Sequence, residues 1–241
     1  MRTIIIIQAR MGSSRLPGKV LMPLGESCVL DYVVTRCKAV NGIAEVVVAT
    51  TALSQDDPIV QWCAENGVAY ARGSEEDVLQ RFVDAAGSYS PDWIIRVTSD
   101  CPFVDYELAS DMTALIGHTD AVLIVWSHAM PRGLAVEPVS YGALLKMAEV
   151  GTEPRHREHV TYYAHEYPQA FRRTAVQVPA ALQYPALRIT LDTEEDYALC
   201  KAIAEAFPGD KLIPSTEVVS FLNLHPDIRA LNAHIEQKPV V

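Results

Sequence analysis

The chain has 241 residues, 49% hydrophobic and 21% charged, the ordinary balance of a soluble globular protein with room for a sizeable core. A formal net charge of -10 and a pI near 5.1 exclude general binding to nucleic acid or to anionic membrane, and leave only a small anion at a local basic pocket. The apolar start Met1 to Ile7 is too short for a signal segment, and no later run approaches a membrane span, so the expectation is a cytoplasmic protein without membrane insertion. The five cysteines include no CxxC pair, which fits reduced, buried thiols better than disulfides or zinc.

In chain order, "TIIII" (3–7) and "AEVVVAT" (44–50) are short, β-branched and continuously apolar, as strands of a parallel sheet covered on both faces should be. "WIIRVTSD" (93–100), "DAVLIVW" (120–126) and "ALRITLD" (186–192) repeat the type. Helical patterns fall between them at 28–40, at 56–67 with a Gly67 stop and at 76–87 with a Gly87 stop. This alternation predicts a Rossmann-like α/β fold, a mostly parallel sheet flanked by helices, with ligands at the carboxyl ends of the strands. Residues 127–185 interrupt the rhythm and are expected to be an irregular insertion that lines a second substrate, within one domain spanning 1–241.

The loop "QARMGSSRLPGKV" (8–20) sits at such a strand end and holds Arg10, Arg15 and Lys19, while the first acidic residue of the whole chain is Glu26. No nearby carboxylate in the sequence can pair with these cations. The loop is not a P-loop, because five residues separate Gly12 from Gly18-Lys19 and Val20 stands where a hydroxyl is needed; the dinucleotide pattern GxGxxG is also absent. Two readings stay open on the loop alone: a solvated surface turn, or a cradle in which backbone amides, the Ser13 and Ser14 hydroxyls and three cations surround phosphates.

The residues resemble a family. "IIQARMGSSRLPGKVL" is similar to the first signature of the cytidylyltransferases that activate acidic sugars, the acylneuraminate and Kdo CMP-sugar synthetases, and most of all their SpsF-like spore-coat polysaccharide branch. "EVVVATT" (45–51), "DDPIV" (56–60), "RGSEEDVLQRF" (72–82), "RVTSDCPFVD" (96–105), "PRGLAVEPVS" (131–140), "REHVTYY" (157–163) and "RITLDTEEDYAL" (188–199) follow in the family's order. The resemblance implies a nucleotide-diphospho-sugar transferase fold of the glycosyltransferase-A type and transfer of CMP from CTP to a sugar acid. It implies that Gln8, Ala9, Arg10, Gly12, Ser13, Ser14, Arg15 and Lys19 bind the nucleotide, with Ala49, Thr50, Asp77 and Arg81 on its nucleoside side. Arg10, Lys19 and Asp100 would be catalytic, and Asp100 with Asp192 would hold Mg2+, a hard cation suited to carboxylates.

Some of these residues have plainer readings. Ser74 with Glu75 and Glu76 also makes a helix start, Asp77 and Arg81 at i and i+4 are spaced to pair with each other, and Thr193 with Asp196 forms a capping box that leaves Asp192 over. On the acceptor side Arg132, Glu137, Arg155, His156, Glu158 and His159 are candidates to grip a sugar carboxylate or hydroxyls, the alternative being a polar helix start at a subunit interface. Here the sequence departs from its relatives: the family block "RGLDVE" reads "RGLAVE", with Ala135 in the acidic position. Other outcomes kept open are another NTP, a non-sugar acceptor, or a nucleotide-binding regulator without turnover. The resemblance also implies a homodimer, with 127–185 as its interface.

Overall fold

The computed structural model describes residues 1–237, so the last four residues of the expected 1–241 domain lie outside it. Nine strands are present in the described residues: β1 (Thr3–Gln8), β2 (Pro23–Leu24), β3 (Ser27–Cys28), β4 (Ile43–Thr51), β5 (Ala69–Gly73), β6 (Trp93–Thr98), β7 (Leu123–Trp126), β8 (Glu137–Ser140) and β9 (Arg173–Val176). The helices are α1 (Val29–Lys38), α2 (Asp57–Glu65), α3 (Val78–Gly87), α4 (Tyr106–Leu115), α5 (Tyr141–Val150), α6 (Pro154–Glu158), α7 (Tyr162–Glu166), α8 (Glu194–Ala206), α9 (Ser215–Leu224) and α10 (Pro226–Arg229). Seven strands form one sheet in the order β5-β4-β1-β6-β8-β7-β9, in which only β8 runs against the rest, and β2 and β3 make a separate hairpin. The mostly parallel, helix-flanked sheet is the architecture expected. Among the described residues no helix is long and apolar enough to cross a membrane.

The run of isoleucines in β1 is explained by its central place. Ile5 and Ile7 enter the core beneath α1 and α4, while Ile4 and Ile6 enter the opposite core under α3 and α5, and all four are fully buried. A strand buried on both faces has no polar side to alternate with, so every position is apolar. Each such side chain contributes about 1.5–3 kcal/mol by burial. In register, Gln8 lies opposite Ala49 of β4 and Thr98 of β6, so the loops that follow these strands leave from one edge.

Three differences from the sequence reading matter for that edge. The segment 127–185 is not an irregular insertion: it carries β8, α5, α6, α7 and β9, and both strands join the central sheet. Pro138 and the shortness of β8 and β9 hid them, since proline normally argues against a paired strand. Edge strand β5, with its exposed Tyr70, also escaped.

Residues 186–192 are not a strand of the sheet. They run extended across the carboxyl end of β6, with a single bridge from Arg188 to Arg132. Their buried amides are satisfied by loops instead: Ile189 N–H donates to the Arg132 carbonyl at 2.7 Å and Leu191 N–H to the Asp100 carbonyl at 2.7 Å. A buried apolar run must pair its backbone somewhere, and here its partners are the two loops that carry the candidate site.

Gly133 permits this crossing. Its φ is +101°, and a Cβ there would lie 2.6 Å from the Ile189 carbonyl carbon and oxygen. Gly133→Ala is expected to lower unfolding free energy by more than about 1 kcal/mol, the cost of a left-handed conformation before any overlap is counted. Urea denaturation of the two proteins checks it; an unchanged midpoint would remove Gly133 from this role.

Candidate active site

The opening loop is built from its backbone outward. Asp56, fully buried, accepts a hydrogen bond from Met11 N–H at 2.7 Å and another from Thr51 N–H at 3.2 Å, which ties the loop to the end of β4. The Met11 carbonyl then accepts from Ser13 N–H and Gly18 N–H, and the Ser13 hydroxyl accepts from Leu16 N–H at 3.3 Å. Gly18, at φ +73°, turns the chain into a short helical turn, Lys19–Leu21, that sends Lys19 inward.

The loop's cations are not unpaired. Their partners come from far along the chain. Lys19 Nζ donates to Leu191 O at 2.7 Å, Asp192 Oδ1 at 2.8 Å and Asp100 Oδ2 at 3.2 Å. Arg15 Nη2 lies 3.1 Å from Asp192 Oδ2, and Arg10 Nη2 lies 3.4 Å from Glu158 Oε1. The sequence shows no carboxylate nearby because the pairing is made by folding, through residues 81 to 177 positions away.

Asp192 is held in turn by a buried network. Arg188 Nη2 donates to Asp192 Oδ2 at 2.8 Å, while the same guanidinium grips both oxygens of Asp196 at 2.8 and 2.9 Å. Asp196 is fully buried and also accepts from the backbone amides of Asp192 and Thr193 and from Asn232. Thr193 caps α8 with Asp196 as the reciprocal partner, as the capping box predicts. Burial alone would raise the Asp192 carboxyl, but Lys19, Arg15 and Arg188 hold it below the usual range. Burial would likewise raise Asp196, and Arg188, Asn232 and the backbone amides bring it down. Lys19, which burial would discharge, stays firmly charged beside Asp100 and Asp192.

These groups line one cleft of about 740 Å³, a size suited to a small-molecule ligand. Gln8, Arg10, Gly12, Ser13, Ser14, Arg15 and Lys19 of the loop line it, together with Asp100 and Asp192. Arg132, Glu137, Glu158 and His159 line it as well, and so does Ala135. The structure thus brings most of the expected residues together. Burial lowers the His159 imidazole, with Glu158 opposing, so the ring is neutral at neutral pH.

Several expected residues are placed elsewhere. Ala9, Ala49 and Thr50 are buried behind the cleft, where Ala9 N–H donates to the Ala49 carbonyl. Asp77 and Arg81 do not pair with each other. Asp77 caps α3 by accepting from Gln80 N–H and pairs with Arg157; Ser74, expected as the cap, accepts from Asp77 N–H instead. Arg81 is buried and bonds the Ser74 carbonyl; its Nε and Nη2 have no hydrogen-bond partner among the described residues, and burial followed by the field of Arg10 lowers it to about 10. Arg155 and His156 turn away from the cleft: both bind Glu166, at 2.8 and 2.6 Å, and fix α6 on α7. A carboxylate ten and eleven residues on, in the next helix, satisfies both side chains before any ligand arrives.

Arg96 was missed. It stands in the middle of β6, donates to Glu137 Oε2 at 2.9 Å and to Gln8 Oε1 at 3.3 Å, and lines the cleft. The signal was present, as a single cation inside the apolar run "WIIRVT" has no reason to be there unless a partner waits. Burial would raise Glu137, but Arg96 and the Thr161 hydroxyl hold it ionised. Asp56, Arg188 and Asp196 were also missed as organisers of the site.

For a divalent cation, no group of three or more His, Cys, Asp or Glu side chains occurs among the described residues. Asp100 and Asp192 nevertheless meet on one ammonium, and two carboxylates completed by phosphate oxygens and water are an ordinary donor set for magnesium. The pair fits such an ion. Cys101, half-buried and with its thiol pushed up to about 12 by desolvation, is not a donor for it.

The sequence profile described as cytidylyltransferase matches residues 4–213. The chain is 36% identical over 230 residues to the spore coat polysaccharide biosynthesis protein SpsF of Bacillus subtilis, covering 93% of this chain and 95% of that one. A solved cytidylyltransferase from Leptospira borgpetersenii superposes with a TM-score of 0.89 at 30% identity, over 99% of this chain and 100% of the other. CMP:2-keto-3-deoxy-manno-octonic acid synthetase, solved with CTP, superposes with a TM-score of 0.67 at 17% identity, over 86% and 100% of the two chains, and shares the fold.

The Asp192–Arg188–Asp196 network sets a pH dependence. Both carboxyls lie below their ordinary 3.8 in the folded state, so the stability they add is complete above that value and is lost as pH falls through the lower folded pKa values. Unfolding free energy is expected to drop as pH falls below about 3.8, and Asp196→Asn to flatten that limb while costing about 1.5–3 kcal/mol at pH 7 by removing the two-nitrogen carboxylate partner of Arg188, which keeps Asp192 as its charged partner. Urea titrations across that range decide it; an acid limb equally steep in the variant would assign the loss to other carboxylates.

Proposed function

Because the chain belongs to the cytidylyltransferase family, we propose that it transfers CMP from CTP to an acidic sugar or related acceptor, releasing pyrophosphate, in cell-surface or spore-coat polysaccharide synthesis. One observation carries the reading: cations of one loop and carboxylates of two distant segments converge in a single cleft. The SpsF relative supports the polysaccharide assignment, and the synthetase solved with CTP supports the nucleotide and a sugar acid as acceptor.

In this reaction an acceptor hydroxyl oxygen forms a bond to the α-phosphorus of CTP, the bond from that phosphorus to the bridging oxygen of pyrophosphate breaks, and the hydroxyl gives up its proton. The protein's task is charge stabilisation and alignment rather than covalent chemistry. Arg10, Arg15 and Lys19 receive the phosphates, the long cations exchanging carboxylate partners for phosphate oxygens. Asp100 and Asp192 would hold magnesium, which when bound supplies further positive charge to the phosphate oxygens. In the same cleft Arg132 makes no side-chain hydrogen bond or ion pair among the described residues, and its fork of donors suits an acceptor carboxylate. Ala135, also lining the cleft, carries no charge where the family block has an acidic group, which removes a repulsion for an anionic acceptor.

Lys19→Ala and Arg10→Ala are each expected to lower turnover by about 10²–10³ while the fold persists by circular dichroism, the loss typical of one donor to a charged transition state. Pyrophosphate release from each NTP with magnesium and a panel of sugar acids measures it. Wild-type turnover in these variants contradicts the cradle, release with another NTP reassigns the base, and CTP binding without release on any acceptor favours a regulator. Arg132→Ala should raise the acceptor KM about tenfold or more and leave the KM for CTP in place, as loss of a charge-assisted hydrogen bond requires; an unchanged acceptor KM moves the carboxylate elsewhere.

A further inference from the structure

An ammonium has three N–H donors, and Lys19 uses all three: on the Leu191 carbonyl at 2.7 Å, on Asp192 at 2.8 Å and on Asp100 at 3.2 Å. It therefore has none to offer a phosphate until one of these bonds is given up. It also fills the space between the two carboxylates that best suit a divalent cation. The second oxygen of Asp192 is already engaged by Arg15 at 3.1 Å and by Arg188 at 2.8 Å.

A bare divalent cation entering here meets three cations around Asp192 and must displace one of them. At contact distances this opposes binding by about tenfold or more, even with the effective dielectric near that of water. A nucleoside triphosphate reverses the balance. Its phosphates offer acceptors to Lys19 and Arg15, and draw both away from the carboxylates while bringing a large negative charge.

We propose that Lys19 occupies the divalent-cation seat between Asp100 and Asp192 in the nucleotide-free protein, and yields it only when triphosphate oxygens replace its carboxylate partners. Cation and nucleotide then bind as a unit, and neither half of the exchange proceeds alone. This rests on the preceding reading that Asp100 and Asp192 hold the metal. It adds that the seat is closed by the protein's own side chain. The same lysine is thus a placeholder before binding and a phosphate ligand after it.

Mn2+ is the probe, with the unbound ion followed by electron paramagnetic resonance on the full chain. The native protein should take up Mn2+ weakly alone and strongly with CTP, beyond the amount CTP binds without protein. Lys19→Met should bind Mn2+ without nucleotide about tenfold or more tightly than the native protein, and adding Asp192→Asn should abolish the gain. Equal Mn2+ affinity of the native protein and Lys19→Met without nucleotide, with Asp192-dependent binding in the presence of CTP, overturns the placeholder and leaves the metal assignment standing. No Asp192-dependent Mn2+ binding in any state overturns both.

If Lys19→Met does not fold, 15N spectroscopy of the native protein's lysine ammonium groups gives the answer, with Lys19 assigned through Lys19→Arg. The Lys19 signal should stay in place with Mg2+ alone and shift with Mg2+ and CTP together. A shift with Mg2+ alone overturns the proposal.

Discussion

Everything at the edge of the sheet is arranged around one buried ammonium. Lys19 joins three segments that are far apart in sequence: the first loop, the turn after β6 that carries Asp100, and the extended run that ends at Asp192. A charge that is 8% exposed can be kept only if every donor is satisfied and opposite charge lies in contact. Those demands are met by making 186–192 cross the strand ends instead of joining the sheet. The loss of a regular strand there is what delivers Asp192 to the site.

The carboxylate partner is itself held from behind. Arg188 grips Asp196 with two nitrogens and Asp192 with one, and Asp196 doubles as the reciprocal member of the α8 capping box. A helix start, an ion pair and a site carboxylate therefore share one set of atoms. Orientation at the site is tied to the stability of α8, so Asp192 has little freedom to swing away. Asp100, with a more exposed side chain and one charged partner, is the looser of the two.

The sheet was legible because its central strands are buried on both faces, and burial leaves continuous β-branched runs in the sequence. β1, β4 and β6 follow directly from that rule. β5, β8 and β9 are short, near an edge or interrupted by proline, and their pairing is decided by neighbours that a local pattern cannot see. The same division holds at the site. Loop residues 8–19 and Asp100 were legible from composition, position and resemblance. Arg188 and Asp196 were not legible as organisers of the site, because each is explained by a partner brought in by the fold, and Arg96 left its signal in an apolar strand without showing its partner Glu137. The misplaced residues show the converse: Arg155 and His156 have the chemistry of ligand-binding groups, yet Glu166, at the end of the next helix, takes both.

The charge balance of the cleft explains how so acidic a chain can receive a polyanion. Five cations, Arg10, Arg15, Lys19, Arg96 and Arg132, line it against four carboxylates, Asp100, Glu137, Glu158 and Asp192, while the chain as a whole carries a formal charge of -10. A cluster of free cations would attract any anion and would repel itself in the empty state. Pairing four of the five with carboxylates removes that self-repulsion and lowers the attraction for stray anions. Only a ligand with several phosphate oxygens at the right spacing can replace those partners together, because exchanging a single pair leaves a carboxylate uncompensated beside the others. The proposed phosphate site would thereby select a triphosphate over a lone anion through how its cations are paired, and would require no larger net positive charge.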